Sequence, residues 1–141
     1  MISVIVPTHN RRELLEKKLK ALEPQKPFEV IVVADGCTDE TAKFLQTYQP
    51  HYLLRYLETP GKGAAFARNV GAREAKGERL LFSDDDVIPR AGWLEAHQRA
   101  SSPNTVVVGK LVLPSHLKNG APMTGPKAFW WNATGANTSL S

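Results

Sequence analysis

The chain has 141 residues, the size of one domain and long enough to bury a true core. No apolar stretch approaches the ~20 residues that span a bilayer, and Met1–Val6 lacks the basic region and cleavage site of a secretory leader, so it reads as a strand of the mature protein. The formal charge of +4 suits an anionic ligand or peripheral contact with an anionic membrane surface. Lys and Arg are interleaved with acidic residues rather than gathered into a patch, which argues against nucleic acid as a partner. The densest basic run, Arg11-Arg12 with Lys17-Lys18-Lys20, falls on a predicted helix and reads as a solvated face. A single cysteine, Cys37, excludes an internal disulfide and fits a reducing, cytoplasmic setting.

In chain order, Ser3–Pro7 is β-branched and apolar and predicts a first strand. Asn10 looks like a helix N-cap, with Glu13 completing a capping box. Leu15, Leu19 and Leu22 then form one apolar stripe, and Pro24 and Pro27 end the helix. Glu29–Ala34 is a strand too apolar to be half exposed. Asp35-Gly36 turns the chain. Thr38 is the expected cap of a second helix reaching Tyr48, with Asp39 and Glu40 in its first turn, where the helix dipole favours them. A third strand is predicted over His51–Leu57 and a loop over Thr59–Gly63. Next comes a small-residue helix over Ala64–Ala75, in which Ala67, Gly71 and Ala75 permit close approach to a neighbour. Arg79–Ser83 is the fourth strand, a short helix runs from about Gly92 to Ala100, and Thr105–Leu113 is a long strand. Strands alternating with helices predict an α/β domain with a mostly parallel sheet and helices on both faces.

In such a sheet the loops after the strands converge at the strands' carboxyl ends. Four of them carry polar residues suited to one anionic ligand. They are Pro7-Thr8-His9-Asn10-Arg11, Asp35-Gly36-Cys37-Thr38-Asp39, Gly61-Lys62-Gly63 running into Arg68-Asn69, and the triplet Asp84-Asp85-Asp86. Lys62 and Arg68 can neutralise phosphate, and the glycines let backbone N–H groups approach it. Asp35 can accept a hydrogen bond from a base or a ribose hydroxyl. Asp84 and Asp86 share a side if the backbone stays extended, and hard carboxylate oxygens suit Mg²⁺ or Mn²⁺. Together these residues predict a nucleotide-diphosphate site.

The series SVIVPTHNR, VIVVADGCTDET and GKGAAFARNVGAREAKGERLLFSDDDVIPRAGWL resembles the family-2 glycosyltransferases of the GT-A fold, over about residues 2–100. The resemblance implies metal-dependent transfer of a sugar, with inversion, from a UDP-, GDP- or TDP-type donor to an acceptor hydroxyl. It implies Asp35 at the nucleobase, Pro7, Thr8 and Asn10 in the first nucleotide loop, and Arg68 beside the nucleotide. It further implies Asp84 and Asp85 at the donor and Asp86 as the direct metal ligand, joined by Asp84. Ala34 stands where the family often has an acidic residue, and Cys37 replaces a common serine. The family's catalytic base is a Glu or Asp shortly beyond a segment like Gly135–Leu140, yet no acidic residue follows Glu95. The expectation is therefore a single domain that begins a longer enzyme. Residues 1–100 would bind the donor and 101–141 would start an acceptor side, with the base beyond Ser141 and an exposed apolar surface where the remainder, or another copy, packs.

Several features carry blander readings. Taken alone, Asp35-Gly36 is a turn and Lys62 a solvated loop residue; Gly61-Lys62-Gly63 lacks P-loop spacing. Cys37 reads as a small, partly buried residue, the four histidines as structural or exposed, and Trp93 as a packing residue. Trp130-Trp131 would pack against further chain or line an acceptor site. Other functions compatible with the sequence are a non-catalytic nucleotide-sugar-binding module, a nucleotidyltransferase, disfavoured by the lack of a Gly-rich first loop, and a structural partner subunit.

Overall fold

The computed structural model describes residues 1–27, 29–109 and 138–140, the last three as backbone. The elements are β1 (Ile2–Thr8), α1 (Arg12–Leu22), a 3-10 turn (Glu23–Gln25), β2 (Glu29–Asp35), α2 (Thr41–Thr47), β3 (Leu53–Thr59), α3 (Ala64–Glu74), β4 (Arg79–Phe82), α4 (Trp93–Ala100), β5 (Val106–Val108) and β6 (Thr138–Leu140). They form one sheet of order β3-β2-β1-β4-β6-β5. The first four strands are mutually parallel, and β6 runs antiparallel to both β4 and β5. No described helix is long and apolar enough to cross a membrane.

Every residue of β1 and β2 is buried, as expected of parallel strands covered on both faces. Ile2, Val4 and Val6 join Leu15, Leu19 and Leu22 of α1, Leu45 of α2 and Leu94 of α4 in the larger core. Ile31 and Val33 face Ala67 of α3 on the other side. The small-residue face of α3 is required there. A β-carbon on Gly71 would stand 2.6 Å from Ile5 Cγ2 and 3.3 Å from Val33 Cγ2, so the helix lies directly on the strands that carry the site.

The expected capping box of α1 does not form. Arg11 occupies the N-cap position without a side-chain cap, and Asn10 takes a left-handed φ of 52°. The Asn10 side chain instead crosses to the next loop, where its Oδ1 accepts the amides of Thr38 at 2.7 Å and Asp39 at 3.2 Å. Asp39 returns the contact by accepting the Arg12 amide at 3.4 Å, so the loops after β1 and β2 hold each other. The cap of α2 is Glu40 rather than Thr38, and Asp39 and Glu40 precede its first turn. β3 begins at Leu53 and extends to Thr59, pairing its last residue with Asp35. β5 covers only Val106–Val108 of the expected long strand, whose residues 110–113 lie outside the described ones, as do Trp130-Trp131 and the expected apolar surfaces at 111–113 and 129–131.

Glu29 is fully buried at the opposite end of the sheet. Its Oε1 accepts Ser3 Oγ at 2.6 Å and the Lys76 amide at 2.5 Å, and Arg55 reaches Oε2 at 3.4 Å. This carboxylate ties β1, β2, β3 and the α3–β4 connection together. Burial pushes its pKa up, but the hydrogen bonds prevail and hold it below the usual carboxylate value.

Candidate functional site

The carboxyl ends of β1, β2 and β4, with the loop after β3, enclose a cavity of about 500 Å³. Its lining includes Pro7, Thr8, His9 and Arg11 from the first loop and Asp35 from the second. Gly61, Gly63 and Arg68 come from the third, and Asp84, Asp85 and Asp86 from the fourth. Loops distant in sequence thus meet as the alternating strand–helix pattern requires.

Asp35 is buried and organises the loop after β3. Its Oδ1 accepts Thr59 Oγ1 at 2.6 Å and the amides of Gly61 and Lys62 at 3.0 Å each, while Oδ2 accepts the Gly63 amide at 2.6 Å. Burial raises the Asp35 pKa, but these four donors outweigh it and the carboxyl lies below its ordinary value. The two loops touch through glycine. Gly36 has φ +63°, and a β-carbon there would stand 2.8 Å from Gly61 Cα, so no other residue fits without displacing backbone.

The aspartate triplet does not continue the strand. β4 ends at Phe82, one residue earlier than expected, and Asp84 accepts the Val87 amide at 3.2 Å to close a turn. The expected alternation of side chains is therefore absent, and all three carboxylates reach the cavity wall. Asp84 pairs with Arg68 Nη2 at 2.5 Å. Asp85 is buried, accepting Thr8 Oγ1 at 2.7 Å and Arg11 Nη1 at 3.3 Å. Burial, ahead of all else, pushes the Asp85 carboxyl above its usual pKa despite those partners. Asp86, about half exposed, touches Arg11 at 3.2 Å. Arg68 Nε is buried in the same region and makes no hydrogen bond.

Pro7, Thr8, Asp35, Arg68, Asp84, Asp85 and Asp86 are thus brought together as expected. Asn10 and Lys62 are not part of the lining. Asn10 fastens the second loop, and the Lys62 ammonium lies over the Phe66 ring, 5.0 Å from its centroid; only its backbone amide serves the loop. Three contributors were missed. His9 lines the cavity, and its Nδ1 donates to the Asp35 carbonyl at 2.6 Å, which requires the proton on Nδ1. Arg11 bridges two members of the triplet, and Lys18 lies fully buried beneath them, whereas Lys17 and Lys20 of the same basic run are exposed as expected. Spacing could have shown Lys18, which follows Leu15 by three residues on the apolar stripe. Cys37 is partly buried, as expected, and burial raises its thiol pKa, which leaves it a poor nucleophile. Trp93 packs against the larger core.

Among the described residues no group of three or more His, Cys, Asp or Glu side chains is assembled to grip a metal ion unaided. The chemistry of the wall nevertheless fits one. Carboxylate oxygens are hard donors, and Mg²⁺ typically takes only one or two carboxylates together with substrate phosphates.

Comparison with known proteins agrees with this geometry. The pattern that defines Glycosyl transferase family 2 matches residues 3–134. The chain belongs to that family. It is 35% identical over 118 residues to a validoxylamine A glucosyltransferase of Streptomyces hygroscopicus subsp. jinggangensis, covering 77% of this chain and 28% of that protein. A mannosyltransferase from Pyrobaculum calidifontis, solved with GDP-Man and Mn²⁺, superposes with a TM-score of 0.69 at 30% identity over 76% of this chain and 34% of its own. S. aureus TarS residues 1–349 with UDP-GlcNAc give a TM-score of 0.59 at 29% identity over 83% and 38%. The fold is GT-A, as the sequence implied, and the chain spans under a third of the length of that first relative.

Proposed function

We propose that this family-2 chain binds a nucleoside-diphosphate sugar together with Mg²⁺ or Mn²⁺, and that the whole protein transfers the sugar, with inversion, to an acceptor hydroxyl. The charge of the cavity carries this reading. Four carboxylates (Asp35, Asp84, Asp85 and Asp86) line it against two guanidiniums (Arg11 and Arg68). A diphosphate anion entering that wall meets an excess of negative charge, which a divalent cation between them would offset. Asp86 and Asp84 would hold the cation. When bound it would neutralise the departing diphosphate as a Lewis acid.

The chain's own groups supply the rest. Oδ2 of Asp35 takes one hydrogen bond within the chain and keeps capacity for an N–H of the base. Gly61 and Gly63 bring backbone close to the ligand, and the unpaired Arg68 Nε is a donor for a phosphate oxygen. The acceptor oxygen would attack the anomeric carbon as the bond from that carbon to the diphosphate oxygen breaks. The acceptor proton would pass to a carboxylate base outside the described residues. Residues 1–100 are the donor-binding part in this reading, and residues 101–141 begin the acceptor side.

Calorimetric titration with UDP, GDP and TDP, with and without Mn²⁺, tests it. One diphosphate should bind, and tighter with the metal. Absence of binding by all three in the presence of Mn²⁺ would sink the proposal and favour a structural subunit.

A further inference from the structure

Lys18 is fully buried on an otherwise apolar face of α1, beside Leu15, Leu19 and Leu22. Burying an ammonium is costly, and an apolar residue of similar volume is often no worse for stability. Its contacts are therefore informative. Nζ donates to Ser83 Oγ, and to the Val87 carbonyl at 2.6 Å. On a third side it lies 5.1 Å from the centroid of the Trp93 ring. Ser83 and Val87 are the residues immediately before and after the aspartate triplet. Both polar contacts of the ammonium thus end on the two feet of one turn, with the Trp93 ring beside them. Burial draws the Lys18 pKa down to about 7 against the opposing pull of Asp84, Asp86 and Asp85.

We propose that Lys18 is a positioning residue that clamps Ser83 and Val87 from beneath and so holds the intervening carboxylates toward the cavity in the arrangement that receives the cation and the diphosphate. The proposal deepens the donor-site reading and its ligand arm rests on it. A turn of three adjacent carboxylates repels itself, and its own backbone supplies one closing hydrogen bond, Val87 N–H to Asp84 at 3.2 Å. The clamp adds a link to each foot. Arg11 and Arg68 approach from the cavity side and would be shared with an anionic ligand, whereas Lys18 is out of the ligand's reach and keeps its contacts throughout.

The test uses Lys18→Met, which keeps the unbranched length but removes the ammonium, and Ser83→Ala, which removes one foot of the clamp and serves if the first variant folds poorly. Amide hydrogen exchange and titration with Mn²⁺ alone are read on each. In Lys18→Met the Val87 amide should lose at least about tenfold in protection relative to the amides of β1 and β2, and Mn²⁺ affinity should fall by a similar factor, while the melting temperature stays level or rises. Ser83→Ala should show the same pattern at smaller amplitude. A merely structural lysine would lower the melting temperature and leave Mn²⁺ affinity and the relative protection of the turn unchanged; that result overturns the proposal. A loosened turn with wild-type Mn²⁺ affinity overturns it too. If the wild-type chain binds neither Mn²⁺ nor UDP, GDP or TDP while Lys18→Met still loosens the turn, the donor-site reading fails and the clamp stands.

Discussion

Asp35→Asn separates the two tasks assigned to the second loop. The substitution keeps Oδ1, which can still accept Thr59 Oγ1 and the amides of Gly61 and Lys62. At the other position an NH₂ replaces the oxygen that accepts the Gly63 amide at 2.6 Å, so two donors face each other. A hydrogen bond to an ionised group is worth ~1.5–3 kcal/mol, and the remaining three weaken when the charge is lost. Gly61, Lys62 and Gly63 are exposed, so water can restore part of their bonding. The expected loss is therefore about 2–3 kcal/mol. With an m-value of ~2 kcal/mol per molar for a domain of this size, the urea midpoint should fall by roughly 1–1.5 M.

Urea unfolding followed by tryptophan fluorescence measures the loss, and hydrogen exchange places it: the Gly61–Gly63 amides should deprotect before those of β1. Titration with inorganic pyrophosphate and with UDP or GDP, each with Mn²⁺, divides the ligand effect. A disordered glycine loop weakens both, and loss of a base contact weakens only the nucleotide. A midpoint within about 0.3 M of wild type would refute the claim that Asp35 is the loop's anchor. Unchanged nucleotide affinity would remove it from the site altogether.

Arg68→Ala should weaken nucleotide-diphosphate binding about 10- to 100-fold and free Asp84, whereas Arg68→Lys should recover only part, because one ammonium cannot replace a fork; wild-type affinity in the alanine variant would defeat the role. Asp86→Ala should abolish the Mn²⁺-dependent part of nucleotide affinity and leave the metal-free part intact, a split read by paired calorimetric titrations. Gly71→Ala should cost about 1–3 kcal/mol by overpacking against Ile5 and Val33, seen as a lower denaturation midpoint. Glu29, Asp35 and Asp39 are all held below their ordinary carboxylate values, although burial, the largest influence on each, acts the other way. The unfolded chain then binds more protons below pH ~4, so their stabilisation is full above that value and is lost as pH falls through the folded values. Glu29→Gln should flatten that acid limb, and an unaltered acid midpoint would count against the assignment.

The sheet was legible because β1 and β2 are continuous apolar runs punctuated by turn residues, a signal that survives any detail of packing. The gathering of four loops followed from parallel topology alone. What was not legible is which polar side chain serves which neighbour. Asn10 has the identity and spacing of an N-cap, yet the amides of Thr38 and Asp39 lie close in space and win it, since a cap is a short-range preference worth about 1 kcal/mol and two amides outbid it. Extrapolating β4 through Ser83 misread the triplet, because in the turn Asp84 reaches Arg68 while Asp85 and Asp86 share Arg11. Lys18 was hidden by composition: a run of basic residues suggests solvent, although its three-residue offset from Leu15 aimed it inward.

The balance of charge around the triplet ties these corrections to the fold. The cations come from separate places: Arg11 from the loop after β1, Arg68 from α3 and Lys18 from the buried face of α1. None is near the triplet in sequence, so the turn acquires its shape only after both faces of the sheet are covered. The linkage of Lys18 reports on that assembly. Its pKa falls by burial to about 7 in the fold against ~10.4 in an unfolded chain. Between those values the unfolded state binds more protons, so this group makes stability rise with pH from about 7 toward 10. Comparing wild type with Lys18→Met by urea midpoints at pH 7 and pH 9 isolates the effect, since other groups titrating there are common to both proteins. The wild type should gain more over that interval than the variant does. Equal changes would mean that the ammonium is hydrated, and that α1 does not reach beneath the triplet as a closed, dry support.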